Sequence, residues 1–352
     1  MSELYKKAKN HFEQNLPFVI YCKPNSDKTI GIFQHNDFLH SLDETTESGF
    51  AIVSFDNEKR YLIPESISDI YFEKNDFSSF IISNIKKEKN FEVRSSFENL
   101  VKNGVEAIKR NEFEKVVLSR KEIVETTAFD FEISFKKLLQ NYGSAFNYCF
   151  YHPKVGFWMG ATPEQFLKID NDTIKTVSLA GTQIFENNLN TNWSTKEIEE
   201  QKIVTDYIVS NLNNFTQDVI VTQPYTFLAG TLVHIKTDIE AKNLSEKDTY
   251  KIINALHPTP AVCGFPKDIA KKFIDRNEGY DREFYAGFLG EWKKDFSTYE
   301  ENKSDLFVNL RCMKINTKSI ELFVGCGITK DSIPEREFLE TVNKSMTIKK
   351  VL

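Results

Sequence analysis

Residues 324–345 read VGCGITKDSIPEREFLETVNKS, an apolar run holding two glycines and then a charged stretch. The run closes the segment IELFVGCGI at 320–328, whose alternation predicts a strand. Pro334 suits the first turn of a helix predicted over 334–345, with Asp331 or Ser332 as candidate cap. Glu337, Glu340 and Lys344 then follow at spacings of three and four, so they share one helix surface. A Glu–Lys surface pair would explain the helix, but it leaves Gly325 and Gly327 unexplained. Glycine sacrifices packing in a strand and is often found where a ligand approaches the backbone closely. A glycine-lined strand running into an acidic helix points to a pocket for a small anion and a divalent ion.

The same periodicities organise the rest of the chain. Helical spacing recurs at 131–141, 195–213, 245–256 and 266–275, and strands are predicted at 145–152, 155–162, 173–183 and 305–315. Residues 1–95 open with a helix and continue with short strands at 17–22, 49–55 and 78–83; the charged KKEKNFEVR at 86–94 reads as a linker or a solvated loop. From Ser96 an amphipathic helix, a polar turn and the strand of KVVLSRK follow. Strands returning in hairpin order among helices predict an α+β fold, a large antiparallel sheet system with helices outside it.

Bulk composition narrows the function classes. A net charge of −6 argues against a nucleic-acid surface, while local cations or a metal can still hold an anion. The five cysteines are scattered with no CxxC pair and read as buried thiols of a reducing compartment. The N-terminus lacks the charge order of a signal peptide, and no apolar run has membrane-spanning length. A soluble cytoplasmic protein is expected.

Positions in other segments also carry chemical interest. In STKEIEEQKIVTDYIVSNL the apolar face is Ile203, Val204, Tyr207, Ile208 and Leu212; Glu200 lies on that face one turn before Val204, with Glu197 three residues earlier. In FVNLRCMKI, read as one strand, Arg311 needs an acidic partner or an anionic ligand, which its planar fork matches. Lys115 shares a strand face with Val117 and Ser119; burial there would make it a candidate base, whereas a lysine at a strand start is usually exposed. Glu164 follows the turn GATP, and Gly181 in SLAGTQ can present its backbone to a ligand.

Seven stretches in order (KVVLSRK, GATPEQFL, SLAGT, LHPTPAVCGFP, DREFYAGFLGEW, VNLRCMKI and VGCGI…PEREFLETVNK) resemble the chorismate-utilising enzymes, and among them the isochorismate synthases. The resemblance covers residues 96–352; residues 1–95 match no motif and read as a variable part of the same single domain. It implies the aminodeoxychorismate synthase-like α/β sandwich, with sheets from two related halves, helices outside and the site in a cleft. It implies Lys115 as general base, Glu164 as general acid, and Mg²⁺ held by Glu200 and Glu340 with Glu337 assisting. Arg311 and Gly325 would bind the enolpyruvyl carboxylate of chorismate, and Gly181, His234, Ala261 and Lys344 would complete the pocket; His257 would support the structure. Lys115 resembles the water-using branch, and Ala180 stands where aminodeoxychorismate synthases carry a nucleophilic lysine. The implied activity is Mg²⁺-dependent isochorismate synthesis, for menaquinone, by a monomer without a glutamine amidotransferase subunit. Salicylate synthase, or an isochorismate synthase of a siderophore pathway, is the alternative.

Overall fold

The computed structural model describes residues 2–43, 45–75, 91–126, 128–184, 191–229 and 232–352. The strand expected at 78–83 and most of the 86–94 stretch lie outside the described residues; Phe91 already opens a helix that runs to Lys109.

Among the described residues two large antiparallel sheets form the frame. The first, in spatial order, joins Gly264–Phe265, Lys115–Glu125, Ser319–Ile328, Cys312–Ile315, Gly156–Thr162, Phe146–His152, Phe18–Cys22, Lys28–Gln34 and Ser68–Lys74. The second joins Val219–Val221, Leu232–Ala241, Thr173–Ile184, Gln165–Asp170, Lys303–Val308, Phe288–Trp292, Gly49–Val53, Arg60–Pro64 and His40–Ser41, and Tyr225–Ala229 also pairs with Leu232–Ala241. Residues 18–22 pair with 146–152 and residues 49–53 with 288–292, so the N-terminal part supplies strands to both sheets.

Burial on both faces explains the unbroken apolar runs. All five residues of Phe18–Cys22 are buried. Val19 and Tyr21 join the core that reaches the second sheet, through Phe50 and Phe307. Phe18, Ile20 and Cys22 join a separate core under the helices Glu3–Glu13 and Phe131–Asn141, through Leu4, Phe131 and Phe135. Each large apolar side chain removed from water this way stabilises the fold by about 1.5–3 kcal/mol. All five cysteines are free and buried. No helix among the described residues is long and apolar enough to cross a membrane.

Two local expectations are corrected. Residues 305–315 are not one strand: Lys303–Val308 belongs to the second sheet and Cys312–Ile315 to the first, and between them Arg311 has a φ of +48°. Alternation cannot reveal such a crossing, because both halves are buried in strands. Nor does Asp331 or Ser332 cap the last helix, which runs Pro334–Lys349 with Ile333 at the cap position and no side-chain cap. The Ser332 hydroxyl instead accepts from the Thr329 N–H at 3.2 Å, shaping the turn before the helix.

Candidate active site

Two neighbouring crossings between the sheets build the centre of the site. One carries the chain from Gly156–Thr162 through Pro163 and Glu164 to Gln165–Asp170; the other is the 308–312 crossing. They are tied together: Thr162 Oγ1 donates to the Val308 carbonyl at 2.5 Å, Val308 N–H to the Glu164 carbonyl at 2.9 Å, and Ala161 N–H to the Arg311 carbonyl at 3.1 Å. A Cβ at Gly160 would stand 2.9 Å from the Arg311 carbonyl oxygen, so the contact needs that glycine. Fully buried Asn309 pins the second crossing: its Nδ2 donates to the Phe284 carbonyl at 2.9 Å, and its Oδ1 accepts from Tyr148 Oη at 2.6 Å.

Glu164 and Arg311 thereby line one cavity of about 310 Å³. The strand Thr173–Ile184 adds Ala180 and Gly181, the neighbouring strand adds His234, and the loop after residue 256 adds Ala261. Helix Thr195–Leu212 contributes Glu197 and Glu200, strand Ser319–Ile328 contributes Gly325 and Gly327, and helix Pro334–Lys349 contributes Glu340 and Lys344. Nine of the eleven positions to which the resemblance gave a site role therefore meet here. Lys115 and Glu337 are the two outside the lining. Lys115 is buried at the start of its strand, and its Nζ lies 2.9 Å from Glu200 Oε1. Glu337 is 4% exposed, one turn of helix from Glu340.

The glycines of 324–327 make room for protein groups. A Cβ on Gly327 would collide with Glu200 Oε1 and lie 3.3 Å from Lys115 Cε, and one on Gly325 would lie 2.9 Å from Tyr285 Oη. The bare strand is what lets Glu200 reach Lys115. Gly327→Ala is accordingly expected to push the Glu200 carboxylate off Lys115 and lower kcat about 10²-fold, with the circular dichroism spectrum unchanged. Wild-type turnover in this variant would show that the contact does not matter.

Burial and neighbouring charges set the electrostatics. The lining holds four carboxyl side chains (Glu164, Glu197, Glu200, Glu340) against the cations Arg311 and Lys344. Burial pushes the Glu164 carboxyl up to about 7, although Lys115, Lys344 and Arg311 each pull it down. Burial lowers His234 to about 4, leaving its imidazole neutral at pH 7. Its Nδ1 lies 2.8 Å from the Gly181 carbonyl, which can only accept, so Nδ1 carries the proton. Gly181 has a φ of +69° within a bulge opposite His234, where glycine avoids backbone strain. Burial opposes charge on Lys344, yet Glu340 beside it raises its pKa. Lys344 Nζ meets Glu340 Oε1 at 2.6 Å and donates to the Gly325 carbonyl at 3.0 Å. Burial lowers the pKa of Arg311, whose Nη1 donates to Thr347 Oγ1 at 3.3 Å.

Residues 56–352 match the family model described as chorismate binding enzyme. The chain belongs to that family. Isochorismate synthase EntC of Escherichia coli is 27% identical over 275 residues, covering 75% of this chain and 69% of that protein. The salicylate biosynthesis isochorismate synthase of Pseudomonas aeruginosa is 28% identical over 268 residues, 74% of this chain and 55% of that protein. Among solved structures, the menaquinone-specific isochorismate synthase MenF of Escherichia coli superposes with a TM-score of 0.79 at 20% identity, covering 96% of this chain and 88% of that one. As a chorismate-binding enzyme the chain has the sandwich its motifs implied.

Tyr285 was not singled out in the sequence, and Glu197 was noted there only as a neighbour of Glu200, with no role. Tyr285 lines the wall beside Gly325, in the motif DREFYAGFLGEW, but only the fold shows that its hydroxyl faces that glycine. Glu197 had an available signal: Glu197/Glu200 repeats the three-residue spacing of Glu337/Glu340. Its carboxylate accepts from Ser194 N–H at 2.8 Å in a capping box, and from Gln183 Nε2 at 3.1 Å, which orients the helix start at the cavity. His257 is buried outside the cavity, with its Nε2 2.9 Å from the Ser54 carbonyl.

Proposed function

We propose that this protein converts chorismate into isochorismate, adding water at ring C2 while the C4 hydroxyl leaves. The observation that carries the reading is Glu164: a carboxyl brought to about 7 shares one cavity with Glu200, behind which Lys115 is buried. Lys115 Nζ takes the proton from the attacking water, and protonated Glu164 gives its proton to the departing hydroxyl. One water enters and one leaves, so the reaction is an isomerisation. Arg311 and Lys344 meet the carboxylates of the dianion and offset the cost of desolvating it. Ala180 supports water over an amine nucleophile, since the lysine of aminodeoxychorismate synthases is missing from this wall.

Glu200 and Glu340 fit Mg²⁺, a hard ion held by a few carboxylates together with substrate and water oxygens. Among the described residues no group of three acidic, imidazole or thiol side chains is placed to hold a metal ion. Bound by Glu200 and Glu340, Mg²⁺ supplies positive charge for the ring carboxylate among the lining glutamates. Glu337, buried behind Glu340, would assist. Glu340→Gln is expected to lower activity about 10²-fold and to flatten the Mg²⁺ titration; a titration like wild type would remove Glu340 from the ion's shell.

The deciding experiment is product analysis of the purified protein with chorismate and Mg²⁺. Isochorismate alone supports the proposal, salicylate with pyruvate assigns a salicylate synthase, and unchanged chorismate overturns both. Menaquinone supply is the reading kept from the sequence. The cavity does not separate it from a siderophore route, because both begin with the same product; growth of a gene-deletion strain with and without menaquinone precursor separates them.

A further inference from the structure

Arg282 belongs to the motif at 281–292 yet lines no part of the cavity. It is 3% exposed, and its guanidinium makes a bidentate pair with Glu278, Nε to Oε2 at 2.8 Å and Nη2 to Oε1 at 2.5 Å. Two more of its donors go to backbone: Nη1 to the Val262 carbonyl at 2.9 Å and Nη2 to the Val117 carbonyl at 2.7 Å. The Glu278 carboxylate in turn accepts from Ser119 N–H at 2.7 Å and from Ser119 Oγ at 2.9 Å. Phe55 covers the guanidinium, its ring centre 4.4 Å from Cζ.

One ion pair thus fastens the backbone of the Lys115 strand to the loop that carries Ala261 and Val262. Val117 and Val262 both line the cavity, and Lys115 is two residues before Val117 on the same strand face. The ladder joining these two segments is short: Gly264–Phe265 pairs with Val116 and Lys115, closed by Val117 N–H to the Cys263 carbonyl and Glu114 N–H to the Phe265 carbonyl, each at 2.8 Å. The Arg282–Glu278 pair adds side-chain anchors at Val117, Ser119 and Val262. For stability alone a desolvated pair of this kind is a poor investment, since apolar residues of like volume often do as well. Apolar residues cannot, however, grip two carbonyls and an N–H at set positions.

We infer that Arg282, held by Glu278, is a positioning residue that sets the Ala261–Val262 wall against the Lys115 strand, keeping the substrate ring in line with Nζ. This rests on the reaction proposed above. The carboxylate-binding groups Arg311 and Lys344 sit on other elements, so substrate binding is little affected when the wall shifts, whereas alignment with Lys115 is lost.

Arg282→Lys tests the inference, because an ammonium is a point charge that cannot span the carboxylate and both carbonyls. Its kcat is expected to fall about 10–10²-fold, with KM for chorismate within about threefold of wild type. Hydrogen exchange, measured without substrate, is expected to quicken at amides 116–119 and 262–264 and to stay unchanged in Phe146–His152. Glu278→Gln is expected to act in the same direction and carries the test if Arg282→Lys does not fold. A folded variant with wild-type kcat and exchange overturns the inference. So does a loss of kcat that merely follows a loss of folded protein, or failure of both variants to fold, since the pair would then hold the fold rather than the wall. If wild-type protein leaves chorismate unchanged, the proposed reaction fails, and the exchange comparison alone decides the positioning claim.

Discussion

Lys115→Ala is expected to abolish turnover while chorismate still binds in the presence of Mg²⁺. The lysine is enclosed at the start of the strand Lys115–Glu125, with its Nζ 2.9 Å from Glu200. Removing a general base costs about 10²–10⁴-fold, and the base proposed here also lies against the Glu200 carboxylate. A buried carboxylate deprived of its partner can destabilise the fold, so Lys115→Met, which keeps most of the side-chain volume, is the companion variant. The readouts are kcat, calorimetric binding of chorismate with Mg²⁺, and the thermal midpoint. A folded Lys115→Met protein with kcat within threefold of wild type would remove Lys115 from the proton transfer.

Glu164→Gln is the second large effect. The glutamine keeps the shape of the acid at the 162–165 crossing but has no acidic proton for the leaving hydroxyl, so kcat is expected to fall about 10²–10⁴-fold. The pH profile gives a separate check. Burial places the Glu164 carboxyl at about 7, far above an ordinary carboxylate, and the proposed mechanism uses its protonated form. The contribution is therefore full below that value and is lost as pH rises through it. In the free enzyme kcat/KM should bend near pH 7 and then fall tenfold per pH unit, and whatever activity Glu164→Gln retains should lack that bend. A wild-type profile flat from pH 6 to 9 would mean that another group donates the proton.

Arg311 shows why part of the site was legible in the sequence and part was not. That it was unusual could be read directly, since an arginine among apolar residues needs an anion. That it leaves the strand at a φ of +48° to face Glu164 could not, because the crossing depends on Asn309 holding Tyr148 and Phe284, both remote in sequence. The glycines at 325 and 327 were read as places where a ligand nears the backbone, whereas the structure puts protein groups against both. The groups that need the room, Tyr285 and Glu200, could only be found by folding the chain. The last helix was placed from Pro334 and its spacing, while its cap was misplaced, because Ser332 is used within the preceding turn.

By itself the sequence determined what depends on neighbours a few residues apart: the helices at 131–141 and from 195, 246, 267 and 334, the apolar runs of the sheets, and the pairing of Glu340 with Lys344 along one helix. Its seven ordered motifs also identified the family. The tertiary structure decided which distant positions meet: Lys115 with Glu200, Glu164 with Arg311 across two sheet crossings, and Arg282 with the carbonyls of Val117 and Val262. The reason is physical. Periodicity and capping are local properties of a helix or strand, whereas burial, and with it the raised pKa of Glu164, arises only when both sheets close over the cavity.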